Sequence, residues 1–358
     1  MDRTPTRYNT STATSSFQTK HTKYSIQSST ESMGFKNIAI FGAGGSNIGY
    51  HVLQALVNDG NYNVTVIARA ASKTTFPESV SVVKINDFND HPQLVKALKG
   101  QDVLLSAIGF EGYAVQYQLI DAAIEAGVPR LVPSEWGFDN DDPANRDLSP
   151  ILYVKTKLVE YLRSKESASF SWTALATSIW LEWYVRLRAQ VTKIQLLTLS
   201  RALDAQFLGI DPIKHSVQYW RDGTHEFSCT TLPYSAAAAL QVLQLPAEQT
   251  ANKRIFVSAF EASQRQIVAE LEKQQGVQYT AVPFDADKTV QEAKAKWDAE
   301  QDIPAAYTTL VAAAVLPEYK ANFETVGKQP LLQGMDGVTL PKLTLEGVVR
   351  EWLKAKSG

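Results

Sequence analysis

The chain has 358 residues, of which 44% are hydrophobic and 20% are charged, and its formal net charge is −2. This near-neutral balance gives no electrostatic reason to expect nucleic acid or an anionic membrane as a partner. No apolar run approaches the roughly 20 residues that span a bilayer. The single cysteine, Cys229, excludes an intrachain disulfide framework. We expect a cytoplasmic protein, monomeric or homodimeric, with no nucleic-acid or membrane partner.

The first 33 residues differ from the rest of the chain. They are rich in Ser and Thr and poor in aliphatic side chains. Such a segment cannot bury enough apolar surface to offset the entropy of ordering, so its composition predicts disorder over residues 1–33. The segment lacks the apolar run of a signal peptide, whereas its basic residues and serines leave a mitochondrial transit peptide as an alternative.

Beyond this segment, short β-branched runs alternate with longer amphipathic ones. The runs that read as strands are apolar throughout, which is typical of a parallel sheet covered by helices on both faces. Right-handed crossovers then predict a doubly wound α/β sheet, the Rossmann fold, over residues 34–180. Residues 181–358 are predicted to form a smaller substrate lobe. Three helices are predicted to end in left-handed glycine caps, at Gly60, Gly100 and Gly127.

The stretch NIAIFGAGGSNIGYHVLQAL, residues 37–56, joins a predicted strand to a predicted helix through a cluster of glycines. In a dinucleotide fold such glycines make a tight turn, let the backbone approach a pyrophosphate, and allow close packing of helix on strand. A simple turn would also explain them, but the flanking strand and helix favour phosphate binding. The predicted cofactor loop comprises Gly42, Gly44, Gly45, Ser46, Asn47, Ile48 and Gly49.

The end of the second predicted strand indicates which dinucleotide binds. An NAD site has an acidic residue about 20 residues beyond the glycine loop, but VTVIARAASK has no acid there and carries Arg69 and Lys73 instead. A guanidinium can bind a 2′-phosphate bidentately, although both cations can also be solvated surface charges. We therefore predict NADP(H) as the cofactor, with Arg69 and Lys73 at its 2′-phosphate.

From Asn37 to Leu162 the chain resembles the NmrA-like and isoflavone-reductase-like branch of the atypical short-chain dehydrogenases. AGVPRLVPSEWG, residues 126–137, is similar to that family's AGVKRFLPSEFG, and GAGGSNIG resembles its fungal members. The loop has one residue more than the GxxGxxG loop of the reductases. The resemblance implies an NADP-dependent oxidoreductase acting on CH–OH or CH–CH groups of a small substrate, of a kind found in fungal secondary metabolism.

The resemblance also implies a catalytic lysine on the helix after the PSE loop. KTKLVEYL aligns Lys155 with that position, but Tyr153 and Lys157 also match the YxxxK pattern of ordinary short-chain dehydrogenases. Positions 155 and 157 point to different faces of a helix, so at most one faces the cofactor, and the alignment favours Lys155. An ammonium group there can stabilise the negative charge that hydride transfer leaves on oxygen, or donate a proton. Both lysines can also be solvated helix charges.

Further positions follow from the resemblance. The implied additional cofactor contacts are Asp87, Ala107, Gly109 and Gln116, with Asp87 and Phe88 of KINDF near the adenine. The implied aromatic walls of a substrate site are Trp136, Phe138, Trp180 and Trp183, which suit an aromatic substrate although each can equally be core. No histidine or cysteine spacing suggests a metal, and no GxSxG suggests a hydrolase. The rival function is a redox sensor that binds dinucleotide without chemistry, as in NmrA itself; a scaffold that keeps the cofactor for stability is a third.

Overall fold

A computed structural model describes residues 34–44, 47–181 and 207–357 of the chain. The predicted disordered segment 1–33 lies outside the described residues, as do Gly45, Ser46 and Trp183. Within the described residues, no helix combines the length and the apolar character needed to cross a membrane.

Strands and helices alternate regularly in the first half of the chain. In order, they are β1 (Asn37–Phe41), α1 (Ile48–Asp59), β2 (Asn63–Arg69), β3 (Ser81–Ile85), α2 (His91–Leu98), β4 (Val103–Ser106), α3 (Val115–Glu125), β5 (Arg130–Val132), α4 (Pro143–Leu148), α5 (Pro150–Lys165), β6 (Ser171–Ala176) and β7 (Ile179–Trp180).

The second half has shorter strands and more helix. In order, its elements are β8 (Ile210–Asp211), β9 (Ser216–Val217), β10 (Phe227–Thr230), α6 (Leu232–Gln244), α7 (Ala247–Thr250), β11 (Lys253–Phe256), β12 (Phe260–Ala262), α8 (Gln264–Gln275), β13 (Thr280–Ala281), α9 (Ala286–Glu300), α10 (Ile303–Val315) and α11 (Leu345–Ser357).

Seven parallel strands form the central sheet in the order β11-β6-β5-β4-β1-β2-β3. In the middle of the sheet, β4 is buried along its whole length and β1 from Ile38 to Phe41, as apolar strands covered on both faces should be. The chain moves from β1 outwards to β3 and then crosses back to β4, so the strand order reverses between β1 and β4. Open α/β sheets bind ligands at the carboxyl edge beside such a reversal. The predicted doubly wound Rossmann fold is confirmed.

The C-terminal half contributes to this sheet as well as to smaller ones. Strand β11 pairs with β6 in parallel, Arg254 opposite Ala174, and α6 packs its apolar face on α1. Two further three-stranded sheets have the orders β12-β10-β7 and β13-β9-β8. The boundary at residue 180 between a Rossmann domain and a substrate lobe stays a prediction. Both β11 and α6 lie after this boundary in the sequence, yet they pack on β6 and α1 of the first half.

The predicted helix ends are confirmed. Gly60 has φ +77°, and its N–H donates to the carbonyl of Leu56 at 3.2 Å, which is the left-handed cap expected where α1 stops. Gly100 and Gly127 also have positive φ, at +75° and +80°. These caps keep the crossovers short and bring each following strand back into the sheet.

Candidate active site

Two glycines bring the start of α1 against the ends of β1 and β4. Gly42 has φ +96°, and a Cβ there would lie 2.4 Å from the carbonyl oxygen of Ala107. A Cβ on Gly49 would lie 2.5 Å from the carbonyl oxygen of Gly42 and 2.8 Å from Cβ of Ala107. No larger residue fits at either position without moving backbone. Gly49 therefore allows α1 to pack closely against the strand, which is the role of the last glycine in loops of this kind.

A cavity of about 980 Å³ opens beside this turn, at the carboxyl edge of β1, β2 and β4. This volume is at the upper end of the range for small-molecule sites, about 300–1,000 Å³. Its lining includes the predicted residues Gly42, Gly44, Asn47, Arg69, Ala107 and Gly109. Ile48 lines an adjoining pocket instead. Residues far apart in the sequence therefore meet around one elongated space.

Arg69 lies at the end of β2, exposed at the wall of the large cavity. Among the residues that the structure describes, no carboxylate pairs with its guanidinium. Lys73 does not line the cavity; Ser72 does, and its carbonyl accepts from Nζ of Lys84 at 2.9 Å. Of the two predicted cations, Arg69 thus reaches the cavity. The turn after it is held by Lys84 of β3, which was not predicted as a site residue.

The region predicted for adenine is lined by Phe88 and not by its neighbour Asp87. Phe88 lines the cavity and packs edge-on against Phe41, with ring centroids 4.5 Å apart. Asp87 instead closes its own turn, because its Oδ1 accepts from the backbone N–H of Asn89 at 2.9 Å. Gln116 is buried and lines neither cavity; its Oε1 accepts from the backbone N–H of Ser134 at 2.8 Å. The cofactor roles predicted for Asp87 and Gln116 have no support from the geometry.

An inner pocket of about 180 Å³ adjoins the large cavity. Six residues line both spaces: Asn47, Ala107, Ile108, Gly109, Phe110 and Tyr307. The rest of its wall includes Ile48, Tyr113, Ser134, Trp136, Phe138, Ile151, Leu152, Lys155, Ser178, Trp180 and Leu310. Tyr307 and Leu310 come from α10, about 150 residues after Lys155. Nothing in the sequence around them indicates a place in this pocket.

The predicted aromatic walls that lie within the described residues all reach this inner pocket. The indole N–H of Trp136 donates to the carbonyl of Ser106 at 3.0 Å, and that of Trp180 donates to Oγ of Ser235 at 2.9 Å. With both N–H groups satisfied by protein, apolar ring surface remains for the pocket. Trp136 also has φ +30°, a backbone strain of the kind that collects at functional sites.

Lys155, on α5, is the cation of the inner pocket. Its Nζ donates to the backbone carbonyl of Glu135, in the loop after β5. Burial lowers the pKa of Lys155 to about 8; the carboxylate of Glu135 acts against this shift, and the guanidinium of Arg254 adds to it. The ammonium is therefore still the main form at neutral pH, yet it loses its proton more readily than a surface lysine does.

The competing YxxxK pair lies on the other side of the same helix. Tyr153 and Lys157 are exposed and line neither cavity, and Nζ of Lys157 donates to Oε2 of Glu160 at 2.8 Å. The geometry thus favours Lys155 over Lys157, in agreement with the family pattern. Its catalytic role stays a prediction.

Glu135, the acid of the PSE motif, is fully buried beneath the pocket. Its Oε1 accepts from the hydroxyl of Tyr113 at 2.7 Å, and its Oε2 accepts from Nδ2 of Asn140 and Nη1 of Arg254, both at 2.8 Å. Arg254 was not predicted from the sequence, because it lies 119 residues after Glu135. Its local sequence gives little signal, because Arg254 follows another cation, Lys253, at the start of β11.

The strand order, the glycine turn and the cavity beside it define the class of dinucleotide-binding Rossmann folds. The model of the NmrA-like family matches residues 35–307. The chain belongs to the NmrA-like family, so the family predicted from AGVPRLVPSEWG is confirmed.

Individual relatives agree with this assignment. Oxidoreductase aprR of Aspergillus flavus is 32% identical over 252 residues, which cover 70% of this chain and 78% of the relative. A crystal structure of isoflavone reductase has a TM-score of 0.67 at 21% identity, covering 89% of this chain and 99% of that one. The complex of leucoanthocyanidin reductase with NADPH from Vitis vinifera also has a TM-score of 0.67, at 17% identity with the same coverages. At these identities the two structures show the fold.

Proposed function

We propose that this protein is an NADPH-dependent reductase that transfers hydride to a carbonyl or enone carbon of a small aromatic substrate. The observation that carries the proposal is the position of Lys155 in a pocket that adjoins the glycine-lined cavity. The similar oxidoreductase of Aspergillus flavus and the NADPH complex of a structural neighbour support it.

The large cavity has the features that NADPH needs. Gly42 leaves the backbone open at the end of β1, and the start of α1 offers N–H groups to a pyrophosphate. Arg69 lies where the ribose of a dinucleotide is bound in this fold class, free of carboxylate partners in the described part of the chain, so it can bind a 2′-phosphate. When bound, the nicotinamide supplies the hydride.

Lys155 stabilises the charge that the reaction develops. Hydride addition to a carbonyl or enone leaves negative charge on an oxygen, and an ammonium beside it lowers the energy of that state. One N–H of Lys155 is directed to the carbonyl of Glu135, which holds the group still while its other N–H groups are available to substrate. Because its pKa is about 8, the ammonium can also give up a proton to the product oxygen near neutral pH.

The inner pocket favours a flat, apolar group beside Lys155. Phe110, Trp136, Phe138, Trp180 and Tyr307 line it, with a volume of about 180 Å³. An apolar cavity of about 150 Å³ is enough for benzene. The reacting end of the substrate is therefore about one aromatic ring in size, with the remainder extending towards the larger cavity. A role in secondary metabolism in the cytoplasm fits this chemistry and belongs to the same proposal.

Oxidation of NADPH against a panel of aromatic ketones, aldehydes and enones tests the proposal. We expect turnover with at least one class, and Lys155→Met should reduce it by about 10²-fold or more because the charge stabilisation is lost. Lys157→Met, on the exposed face of α5, is the matched control and should retain turnover.

Two results would contradict the proposal. Tight NADPH binding without turnover on any class would favour the redox sensor. Full turnover by Lys155→Met would show that another group serves the reacting oxygen.

A further inference from the structure

A buried ion pair lies directly behind the inner pocket. The side chains of Arg254 and Glu135 are 4% and 0% exposed, and Nη1 of Arg254 is 2.8 Å from Oε2 of Glu135. Removing two charges from water costs several kcal/mol for each ion, so a buried pair is weak support for stability by itself. A role in the neighbouring pocket would explain why this ion pair is present.

The pair is linked to Lys155 through one residue. Both carboxylate oxygens of Glu135 are held, one by Tyr113 and the other by Asn140 and Arg254. These contacts hold Glu135 in place, and its backbone carbonyl accepts from Nζ of Lys155. Arg254 thus clamps the side chain of Glu135, while the main chain of Glu135 orients the ammonium.

We propose that Arg254 is a positioning residue for Lys155: by pairing with Glu135 it fixes the carbonyl that orients the ammonium and balances the carboxylate next to it. The proposal rests on the proposed function only in taking Lys155 as the catalytic group. Arg254 itself lines neither cavity, so its role is to act through Glu135.

The opposing effects of Glu135 and Arg254 on the charge of Lys155 can be tested, because few other titratable groups surround it in the described part of the chain. On its pocket side lie the phenols of Tyr113 and Tyr307, and behind it lie Glu135 and Arg254. In the described part of the chain, Arg254 is the one cation that contacts the carboxylate of Glu135.

Two more carboxylates approach Arg254 from its other side. Asp139 and Asp141 lie 3.7 Å and 3.4 Å from Nε of Arg254. Each has another cation, because Lys328 pairs with Asp139 at 2.6 Å and Arg163 pairs with Asp141 at 2.9 Å. Of these three carboxylates, Glu135 is therefore the one that loses its ion-pair partner when Arg254 is removed.

The proposal predicts opposite shifts for the two members of the pair. In Arg254→Met the carboxylate of Glu135 is unbalanced and favours the charged form of Lys155. In Glu135→Gln that carboxylate is gone while the guanidinium remains, so the charged form of Lys155 is disfavoured. Loss of a structural contact alone would not move the lysine in opposite directions.

Competitive labelling with acetic anhydride measures this without a known substrate. The full-length protein is labelled across a range of pH, and mass spectrometry of the peptide containing Lys155 gives the pH of half-maximal reactivity. We expect Arg254→Met to raise this pH by about one unit and Glu135→Gln to lower it. Arg254→Lys should lie close to wild type because it restores the cation. Arg163→Met, which removes a guanidinium from Asp141 alone, should leave the pH unchanged.

A shift in the same direction for both variants, or no shift, would overturn the proposal. If Arg254→Met does not fold, Glu135→Gln and Arg254→Lys decide, since unchanged labelling in Glu135→Gln is then sufficient to refute it. The NADPH oxidation panel separates the two proposals. Absence of turnover together with opposite labelling shifts would refute the reductase and retain the positioning pair.

Discussion

Replacing Lys155 by Met should reduce turnover by about 10²-fold or more and yet stabilise the protein at neutral pH. Burial lowers the pKa of this lysine from 10.5 to about 8, so the folded state disfavours its charged form. At about 1.4 kcal/mol per pKa unit, the cost is about 3.5 kcal/mol as an upper limit. Lys155 is only partly buried, and the variant loses a hydrogen bond to Glu135 worth about 1 kcal/mol, so we expect a net gain of about 1–2 kcal/mol.

The pH dependence gives the sign of this effect. Below pH 8 the lysine is charged in both folded and unfolded states, so its cost is fully present; between pH 8 and 10.5 the folded state loses the proton first, so wild type gains stability as pH rises. The advantage of Lys155→Met should thus be full at pH 7 and shrink towards pH 10.

Denaturant unfolding of wild type and variant at both pH values measures the difference. Lys157→Met, which loses an exposed ion pair, should stay within about 0.5 kcal/mol of wild type. A Lys155→Met protein that is less stable than wild type at pH 7, or an advantage that does not change with pH, would refute the reasoning.

Three further predictions follow from the same geometry. The rate of NADPH oxidation should fall as pH rises through about 8, because the ammonium of Lys155 is then lost; a rate that rises there would indicate a base instead. Gly49→Ala should destabilise the protein by about 1–3 kcal/mol in thermal unfolding because its Cβ meets backbone, whereas Gly109→Ala, with no atom within 4 Å of its Cβ, should not. Phe88→Ala should weaken NADPH binding in a fluorescence titration, while Asp87→Asn should leave it unchanged; the reverse order would return adenine binding to Asp87.

The strands, helices and helix caps were predictable because each depends on a short stretch of sequence. Apolar strands alternate with helices, and Gly60 ends α1 in a left-handed cap as predicted. The glycine turn was predictable because its glycines lie in one stretch between a strand and a helix. The close approach of Gly42 and Gly49 to Ala107, after β4, is a long-range contact.

The direction of side chains and the long-range contacts were not predictable in this way. Sequence spacing does not tell which of two neighbouring residues faces a cavity. Asp87 and Phe88 were both predicted near the adenine, and Phe88, not Asp87, lines the cavity. Tyr307 and Arg254 reach the site through helix and strand packing far along the chain. Periodicity carries no information about such contacts, and Arg254, next to Lys253 at the start of β11, resembles an ordinary strand-end charge.

The affinities of wild type and Arg69→Ala for NADPH and NADH test the central claim most directly. If the cavity beside Gly42 binds the dinucleotide with Arg69 at its extra phosphate, wild type should prefer NADPH by about tenfold or more, since a hydrogen bond to a charged group contributes about 1.5–3 kcal/mol. Arg69→Ala should lose this preference and keep its affinity for NADH. Equal affinities in wild type, or a preference that survives the substitution, would contradict the account.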